Sequence, residues 1–597
     1  VTVDGPSPDI SRLTGLSIAR DGTGGLAYLK KVSGNDHVFV SRLLDGVFQP
    51  PERVDSQLAG PSSQPVIAAG DGGVLLVAFI NAGTLYAVDR PSAGTPYLAP
   101  VTLATTAAAP ALAMSSFGKA YLAFTTASGA GNDVHTAFYH GGRWALEGPP
   151  LNATPQDDAG TGTGRPAVAA AGDGVGIVVW GEAGHVFSRR VWGTSPSIVD
   201  EQADVPSLSS LPEIAADEPV VGAGGDSSYA EVVFHETFST GIRGQSRVLS
   251  RRLHGSQYDG VVEPDGLSTP SVEGADQPGV AVGEYGSGLV TSTRTDSKAV
   301  FATVLHGDGT IGPPARADSL SNATMPDPVA AMAGLFSNLV AWQHDPGPLG
   351  SSEIRVRYAN RSGALGSEDV VSSPSLGPTA AANGLAAAGD ITGDAAIGWV
   401  QGSGDSTRIV TAQLYEPPSS FTVTKRFGYT RTNRPTLSWR PAHARWGPLR
   451  YTVSVDGAPI GQTTGTALRL ATPLPDGPHS WGVTAANPAE ETTQAGPARV
   501  WVDTVPPAVH LSLTGRRRAG AALHLHVSYT DAPPPEPPAD ASGVVKVIVR
   551  WGDGSSSTVL HLGSHRYGRR GRFRITVVVY DRAGNRTTTT LLVRVRR

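Results

Sequence analysis

Three short stretches place imidazoles beside carboxylates directly after apolar, aromatic-ended runs. Glu182 and His185 follow Val178-Val179-Trp180, His235 and Glu236 follow Val232-Val233-Phe234, and His344 and Asp345 follow Val340-Ala341-Trp342. An imidazole can donate, accept or ligate a metal near neutral pH, and a carboxylate accepts from hydroxyl and amine groups. Brought together, these six residues can bind a sugar, a cation or a peptide. Two of the carboxylates at a suitable separation would also permit glycoside hydrolase or lyase chemistry. The competing interpretation is that all six are solvated loop positions, polar because loops are polar. Gly389-Asp390-Ile391-Thr392-Gly393-Asp394 is a second, weaker set. Asp390 and Asp394 supply two carboxylates for calcium, but such loops use several alternating oxygen ligands. Gly70-Asp71-Gly72 and Gly172-Asp173-Gly174 hold one Asp each and read as hairpin turns.

Other chemistry is excluded by residue type. The chain has no cysteine, so disulfides, thiolate metal sites and cysteine nucleophiles are absent. There is no His-Glu-x-x-His metal motif, no Gly-x-Ser-x-Gly elbow, no phosphate loop and no Ser-x-Asp-x-Gly-x-Thr-Trp box. No apolar run approaches the ~20 residues that span a bilayer as a helix, so membrane insertion is not expected.

The elements that must position these residues are strands. Helical periodicity is nearly absent, while 73 Gly and 47 Pro fall at intervals between short apolar runs. One unit recurs: a small-residue strand, often led by Pro, then a turn, then a β-rich strand ending in an aromatic. Pro65-Val66-Ile67-Ala68-Ala69 with Val77-Ala78-Phe79, and Pro166-Ala167-Val168-Ala169 with Val178-Val179-Trp180, are clear copies. Eight copies are counted before residue 416. The sixth, Pro278-Gly279-Val280-Ala281 with Leu289-Val290, lacks its aromatic, so seven is the alternative count. Third and fourth strands follow most copies, as in His37–Arg42 and Arg53-Val54-Asp55. Four strands per unit, repeated radially, define a β-propeller. The innermost strands converge on an axis, which accounts for their small residues. The last copy lacks a fourth strand, and Val1-Thr2-Val3-Asp4 resembles Arg53-Val54-Asp55 and Ile198-Val199-Asp200. The N-terminal strand is therefore expected to close the last blade and remove two open sheet edges. In this geometry the six chemistry-bearing residues ring the mouth of the channel.

After Pro417-Pro418-Ser419-Ser420 the pattern changes. Pro435–Trp439, Tyr451–Gly457 and the run from Leu474 to Ala485 look like sandwich strands, and this stretch resembles bacterial Ig-like and fibronectin type III-like modules. Farther on come Trp551-Gly552-Asp553-Gly554, His565-Arg566-Tyr567, Ile575–Asp581 and Gly584-Asn585. In that order they resemble the PKD-type domain. The resemblance covers the last 90 or so residues and implies an extracellular Ig-like sandwich that spaces or binds, without catalysis. Asp531–Asp540 encloses five prolines and reads as a protruding loop. The expected fold is all-β: an eight-bladed propeller over 1–416, an Ig-like or fibronectin type III-like sandwich over 417–505 and a PKD-like sandwich over 506–597.

The whole chain carries −5, yet from Ala508 onward 15 Arg and Lys face 5 Asp and Glu, a net +10 that leaves −15 on the remainder. A basic module on an acidic body suits an anionic cell-wall polymer. The acidic body and the lack of a reading motif argue against nucleic acid. Absence of an initiator Met, absence of Cys, and Ala-, Gly- and Arg-rich usage resemble a mature secreted protein of an actinobacterium-like, high-GC bacterium. The expected function is extracellular binding. The propeller would recognise carbohydrate or another surface protein, and the sandwiches would space and attach it. Self-assembly into a surface appendage or layer is the second expectation, and glycoside hydrolase or lyase activity at the channel mouth the third. No cofactor is expected beyond the weak calcium set.

Overall fold

The computed structural model describes the chain except residues 130, 198–200, 206–211, 226–228, 240–243, 255–256, 268–272, 284, 320–327, 333, 335–336, 346–350, 425–426 and 532–542. The expected strand at Ile198-Val199-Asp200 and the proline-rich loop after Asp531 lie outside the described residues. The chain forms two compact units, Val1–Glu416 and Pro417–Arg597. It is all-β, and among the described residues only short 3-10 turns are helical. No helix of the described residues is long and apolar enough to cross a membrane.

In the first unit the described strands make eight small antiparallel sheets. Each opens with a small-residue strand such as Ser62–Gly70, Ala107–Met114 or Leu385–Gly389. The following strand is the most buried: Val74–Asn81, Ala120–Ser128 and Ala395–Gln401 bury most or all of their residues. Trp180, Trp342, Trp399, Phe79, Phe124 and Phe234 on these second strands are fully buried. They fill the widening wedge between sheets, where a large ring removes more apolar surface from water than any other side chain. The opening strands pack in a circuit. Ile10–Ile18 touches Ser62–Gly70, and the series passes through Ala107–Met114, Ala167–Ala170, Glu213–Gly222, Ala275–Val282 and Val329–Met332. Leu385–Gly389 returns to Ile10–Ile18.

The eighth sheet takes its fourth strand from the other end of the chain. Thr2–Asp4 pairs antiparallel with Arg408–Leu414. The Asp4 carboxylate accepts from Tyr28 and from Lys30 Nζ (2.9 Å) of the first sheet, so these three residues tie the last sheet to the first.

A second device repeats. In five of the eight sheets a residue just beyond the fourth-strand position turns its side chain back onto an N–H near the start of the third strand. Asp55 takes Val38 N, Asn152 takes Val134 N, Asp265 takes Val248 N, Asp318 takes Val300 N and Ser372 takes Ile354 N, all at 2.8–3.3 Å. The preceding residue closes the same turn by backbone, as in Val54 N to Val38 O. A buried N–H without an acceptor is costly, so in these five sheets one polar residue helps to specify the register.

In the second unit each half has its own core. Residues 417–505 carry a five-stranded and a two-stranded sheet around Trp439, Tyr451, Val453, Trp481 and Val483. Residues 506–597 carry a three-stranded and a four-stranded sheet around Leu525, Val549, Trp551, Tyr567 and Val577. The strand Gly571–Asp581 shows the period-two pattern that packing one face requires: Phe573, Ile575, Val577 and Val579 are buried while Arg572 and Arg574 are exposed.

Candidate functional site

The fourth and fifth sheets meet at an open cleft of about 460 Å³. Its walls come from the turn joining Val175–Glu182 to His185–Trp192, from the opening strand Glu213–Gly222, and from the segment before Ala167–Ala170. Glycines line it. Gly164 and Gly181 pass so closely that a Cβ on Gly181 would stand 2.7 Å from the Cα of Gly164. The charged groups lining the cleft, Asp157, Asp158, Glu182 and Asp217, are all acidic, and Thr161 and Thr163 add hydroxyls.

Each acidic group has a defined setting. Asp158 accepts from Asn132 N, Asn132 Nδ2 and Thr161 Oγ1 at 2.7–3.0 Å, and these hydrogen bonds hold its carboxyl below the usual range. Asp217 receives His235 Nδ1 at 2.6 Å, directly across the strand pair, and its pKa is lowered chiefly by that imidazole. Burial opposes the charge on His235, but Asp217, helped by Asp276 and Glu218, outweighs it and raises the imidazole pKa. Glu182 is nearly inaccessible. Its carboxylate accepts Ala153 N (2.9 Å), Thr154 N (2.6 Å) and Trp180 Nε1 (2.8 Å), so it clamps the loop that carries Asp157 and Asp158.

His185 stands beside the cleft at the start of its strand. Its Nδ1 lies 2.7 Å from Asp204 Oδ2 and 3.3 Å from Glu213 Oε1. Burial opposes protonation of this imidazole, and the two carboxylates reverse the balance and raise its pKa. Burial, then the adjoining Asp204, pushes the Glu213 carboxyl up to about 7 against the pull of His185.

The six residues expected at one mouth are placed differently from one another. Glu182 lines the cleft, His185 adjoins it, and His235 reaches it through Asp217. His235 and Glu236 are not loop residues, because the strand Ala230–Ser239 continues past them, and Glu236 is fully buried. His344 is buried as the last residue of Asn338–His344, in the seventh sheet. Burial, then the nearby Arg355, lowers its pKa. Asp345 follows it, half-buried. Neither lines the cleft. Asp390 and Asp394 lie on the turn between Leu385–Gly389 and Ala395–Gln401. Asp390 Oδ1 accepts Thr392 N, Thr392 Oγ1 and Gly393 N, which build the turn, and Asp394 Oδ1 accepts Glu416 N, which ties the turn to the end of the unit. Asp390 also borders a smaller cavity of about 200 Å³, lined by the ends of all eight opening strands and narrowed by Met114 and Met332.

Asp158, Asp204, Glu213 and Asp217 were not singled out from the sequence. Asp204 carried a signal: Ala203-Asp204 repeats Val54-Asp55 and Ala317-Asp318 at the same place in the unit. Asp217 and Glu213 gave none, because their closeness to His235 and His185 is set by strand pairing and sheet packing.

No protein-family model matches this chain, and no curated protein matches it. Solved structures give low-identity likenesses. Fibronectin(III)-like modules of CbhA from Clostridium thermocellum align at 13% identity and TM-score 0.21, over 30% of this chain and 94% of theirs. A protein of unknown function from Dyadobacter fermentans aligns at 12% and 0.34, over 60% of this chain and 96% of its own. An α-L-arabinanase from Penicillium chrysogenum, complexed with arabinobiose, aligns at 11% and 0.29, over 51% of this chain and 92% of its own. Identities and scores this low carry nothing about activity.

Proposed function

We propose that residues 1–416 are an eight-bladed β-propeller that acts outside the cell as a recognition platform for carbohydrate. Residues 417–505 and 506–597 are its Ig-like and PKD-like spacer and attachment modules. The circuit of opening strands, the sheet completed by Thr2–Asp4 and the ties from Asp4 to Tyr28 and Lys30 support the closed propeller. The observation that carries the recognition reading is the cleft. Its carboxylates are fixed by internal hydrogen bonds, its walls include glycine backbone, and it is open to solvent. Fixed acceptors in an open groove suit a ligand rich in hydroxyl donors, since each sugar hydroxyl gains a charge-assisted hydrogen bond without ordering a flexible side chain.

The basic module supports attachment to an anionic polymer. Arg572 and Arg594 stand directly opposite each other on neighbouring strands, both exposed, and Arg516, Arg517, Arg518, Arg569 and Arg570 are exposed as well. Like charges directly across a strand pair are destabilising, and a bound polyanion relieves that cost.

Affinity electrophoresis of the purified chain in gels containing neutral plant and bacterial polysaccharides tests the recognition reading. Retardation by at least one neutral polysaccharide, lost in Asp158→Asn and Asp217→Asn, is the expected result. Retardation that both substitutions leave unchanged, or none in any gel, contradicts it. Capture of a cationic peptide instead would assign the cleft to a surface protein.

A further inference from the structure

The first and fourth sheets carry the same His–Asp pair in different company. In the first, His37 Nδ1 lies 2.9 Å from Asp55 Oδ2, and Asp55 also accepts Ser62 Oγ at 2.6 Å and Arg53 Nε at 2.7 Å. Its charge is matched by a guanidinium and its lone pairs by donors. In the fourth, His185 and Asp204 hold the equivalent positions at 2.7 Å. The residue two before the acid is now Gln202 in place of Arg53, and a second carboxylate, Glu213, stands beside the pair. The site has gained a carboxylate and lost the guanidinium that bonded the acid, and the nearby Arg251 donates to the Ala203 and Val205 carbonyls on either side of Asp204.

The local bonding registers the difference. Asp204 is wholly buried, 0% exposed, and its Oδ1 has no hydrogen-bond partner. Glu213 Oε1 is likewise buried, and no donor meets it in hydrogen-bond geometry, His185 Nδ1 standing 3.3 Å away. One ligand atom from each of His185, Asp204 and Glu213 lies within 4.8 Å of the other two. A buried carboxylate oxygen without a donor is expensive, and two of them converging on one imidazole mark a place for a cation.

We propose that His185, Asp204 and Glu213 bind one divalent transition-metal ion of the zinc type. An imidazole ligand disfavours calcium and magnesium, which take oxygen ligands, whereas mixed nitrogen and carboxylate donors suit Zn²⁺. Bonds of the usual length around a tetrahedral zinc place donors about 3.3 Å apart. The His185–Glu213 separation of 3.3 Å already meets this, and the His185–Asp204 contact of 2.7 Å opens when the Nδ1 proton leaves. The imidazole is 41% exposed and the Glu213 side chain 17%, so the ion is reached from solvent, and water completes its coordination. Entry of the metal expels the Nδ1 proton and any proton held between the carboxyls, so affinity rises with pH. The site stands on different residues from the recognition reading and does not depend on it.

The test uses the full chain, stripped with chelator and then titrated with Zn²⁺ alone against a chromophoric competitor at pH 7.5. One equivalent should bind, with affinity at least tenfold weaker at pH 6. His185→Gln and Glu213→Gln should each weaken it tenfold or more, while His37→Gln, at the equivalent pair of the first sheet, should change it less than twofold. Co²⁺ in the unsubstituted chain should give visible absorption bands that Zn²⁺ abolishes, a readout that needs no variant to fold. No stoichiometric binding by the unsubstituted chain, or equal affinity in Glu213→Gln, overturns the proposal.

Discussion

Replacing Glu182 by Ala removes a carboxylate that holds three donors. Thr154 is exposed and Ala153 partly so, and both can recover water for their N–H groups. Trp180 is fully buried, and its indole N–H loses its acceptor outright. A hydrogen bond to a charged group contributes about 1.5–3 kcal/mol, and a stranded buried donor costs about 1–3 kcal/mol. One fully lost and two partly replaced bonds therefore put the loss at about 3–5 kcal/mol. For a unit the size of residues 1–416, with an unfolding entropy of about 2.1 cal/mol/K per residue, that is roughly a 3–6 °C fall in Tm. Differential scanning calorimetry at one fixed scan rate should show the fall in the transition of the first unit only. Glu182→Gln should fall by about half as much, because its amide keeps one acceptor and turns a second donor towards the loop. Limited proteolysis near Ala153–Thr161 should accelerate in Glu182→Ala. A transition unchanged within 1 °C in both variants would refute the clamp and return Glu182 to the ligand-binding groups.

Three further outcomes follow from the geometry. His235 has a raised folded pKa, so its pairing with Asp217 stabilises fully below the unfolded value near 6.5 and is lost as pH rises through the folded value; the Tm of the first unit should decline over that interval, and His235→Gln should flatten the decline. Asp531 sits near Asp503 and Asp581, and burial followed by those two charges pushes its carboxyl up to about 7. A carboxyl raised above its unfolded value stabilises at low pH and loses that contribution as pH rises through 7, so Asp531→Asn should raise the Tm of the second unit at pH 8 and leave it nearly unchanged at pH 4, by calorimetry at both values. Gly181→Ala drives a methyl group against the Gly164 backbone, and it should both lower the Tm of the first unit and abolish polysaccharide retardation; retained retardation would place the ligand elsewhere.

Much of the architecture was legible because its signals are local. The small-residue opening strands and the aromatic ends of the second strands are consequences of crowding at an axis and space at a rim, and both show in single segments. The break at Pro417-Pro418 coincides with the division of the chain after Glu416. The site was legible only in part. His185 and Glu182 were found because they follow a recognisable strand end, but the same rule placed His235 and Glu236 on a loop. In the fold the strand Ala230–Ser239 runs on, since Thr237 and Phe238 continue the pairing with Ala215 and Glu213. The groups that complete each cluster, Asp204, Glu213 and Asp217, come from 18 to 28 residues away along the chain or from across a sheet pair. Proximity of that kind is set by register, which bulges such as the one between Asp217 and Val220 shift by amounts that composition does not reveal.

Hydrogen–deuterium exchange of the full chain, with and without the polysaccharide that retards it most, tests the recognition cleft most directly. Protection confined to residues 157–164, 181–184 and 215–217 is the result the cleft requires. Protection at the rim of the axial cavity, around Ser115, Gly224 and Asp390, or only within residues 417–597, would contradict it.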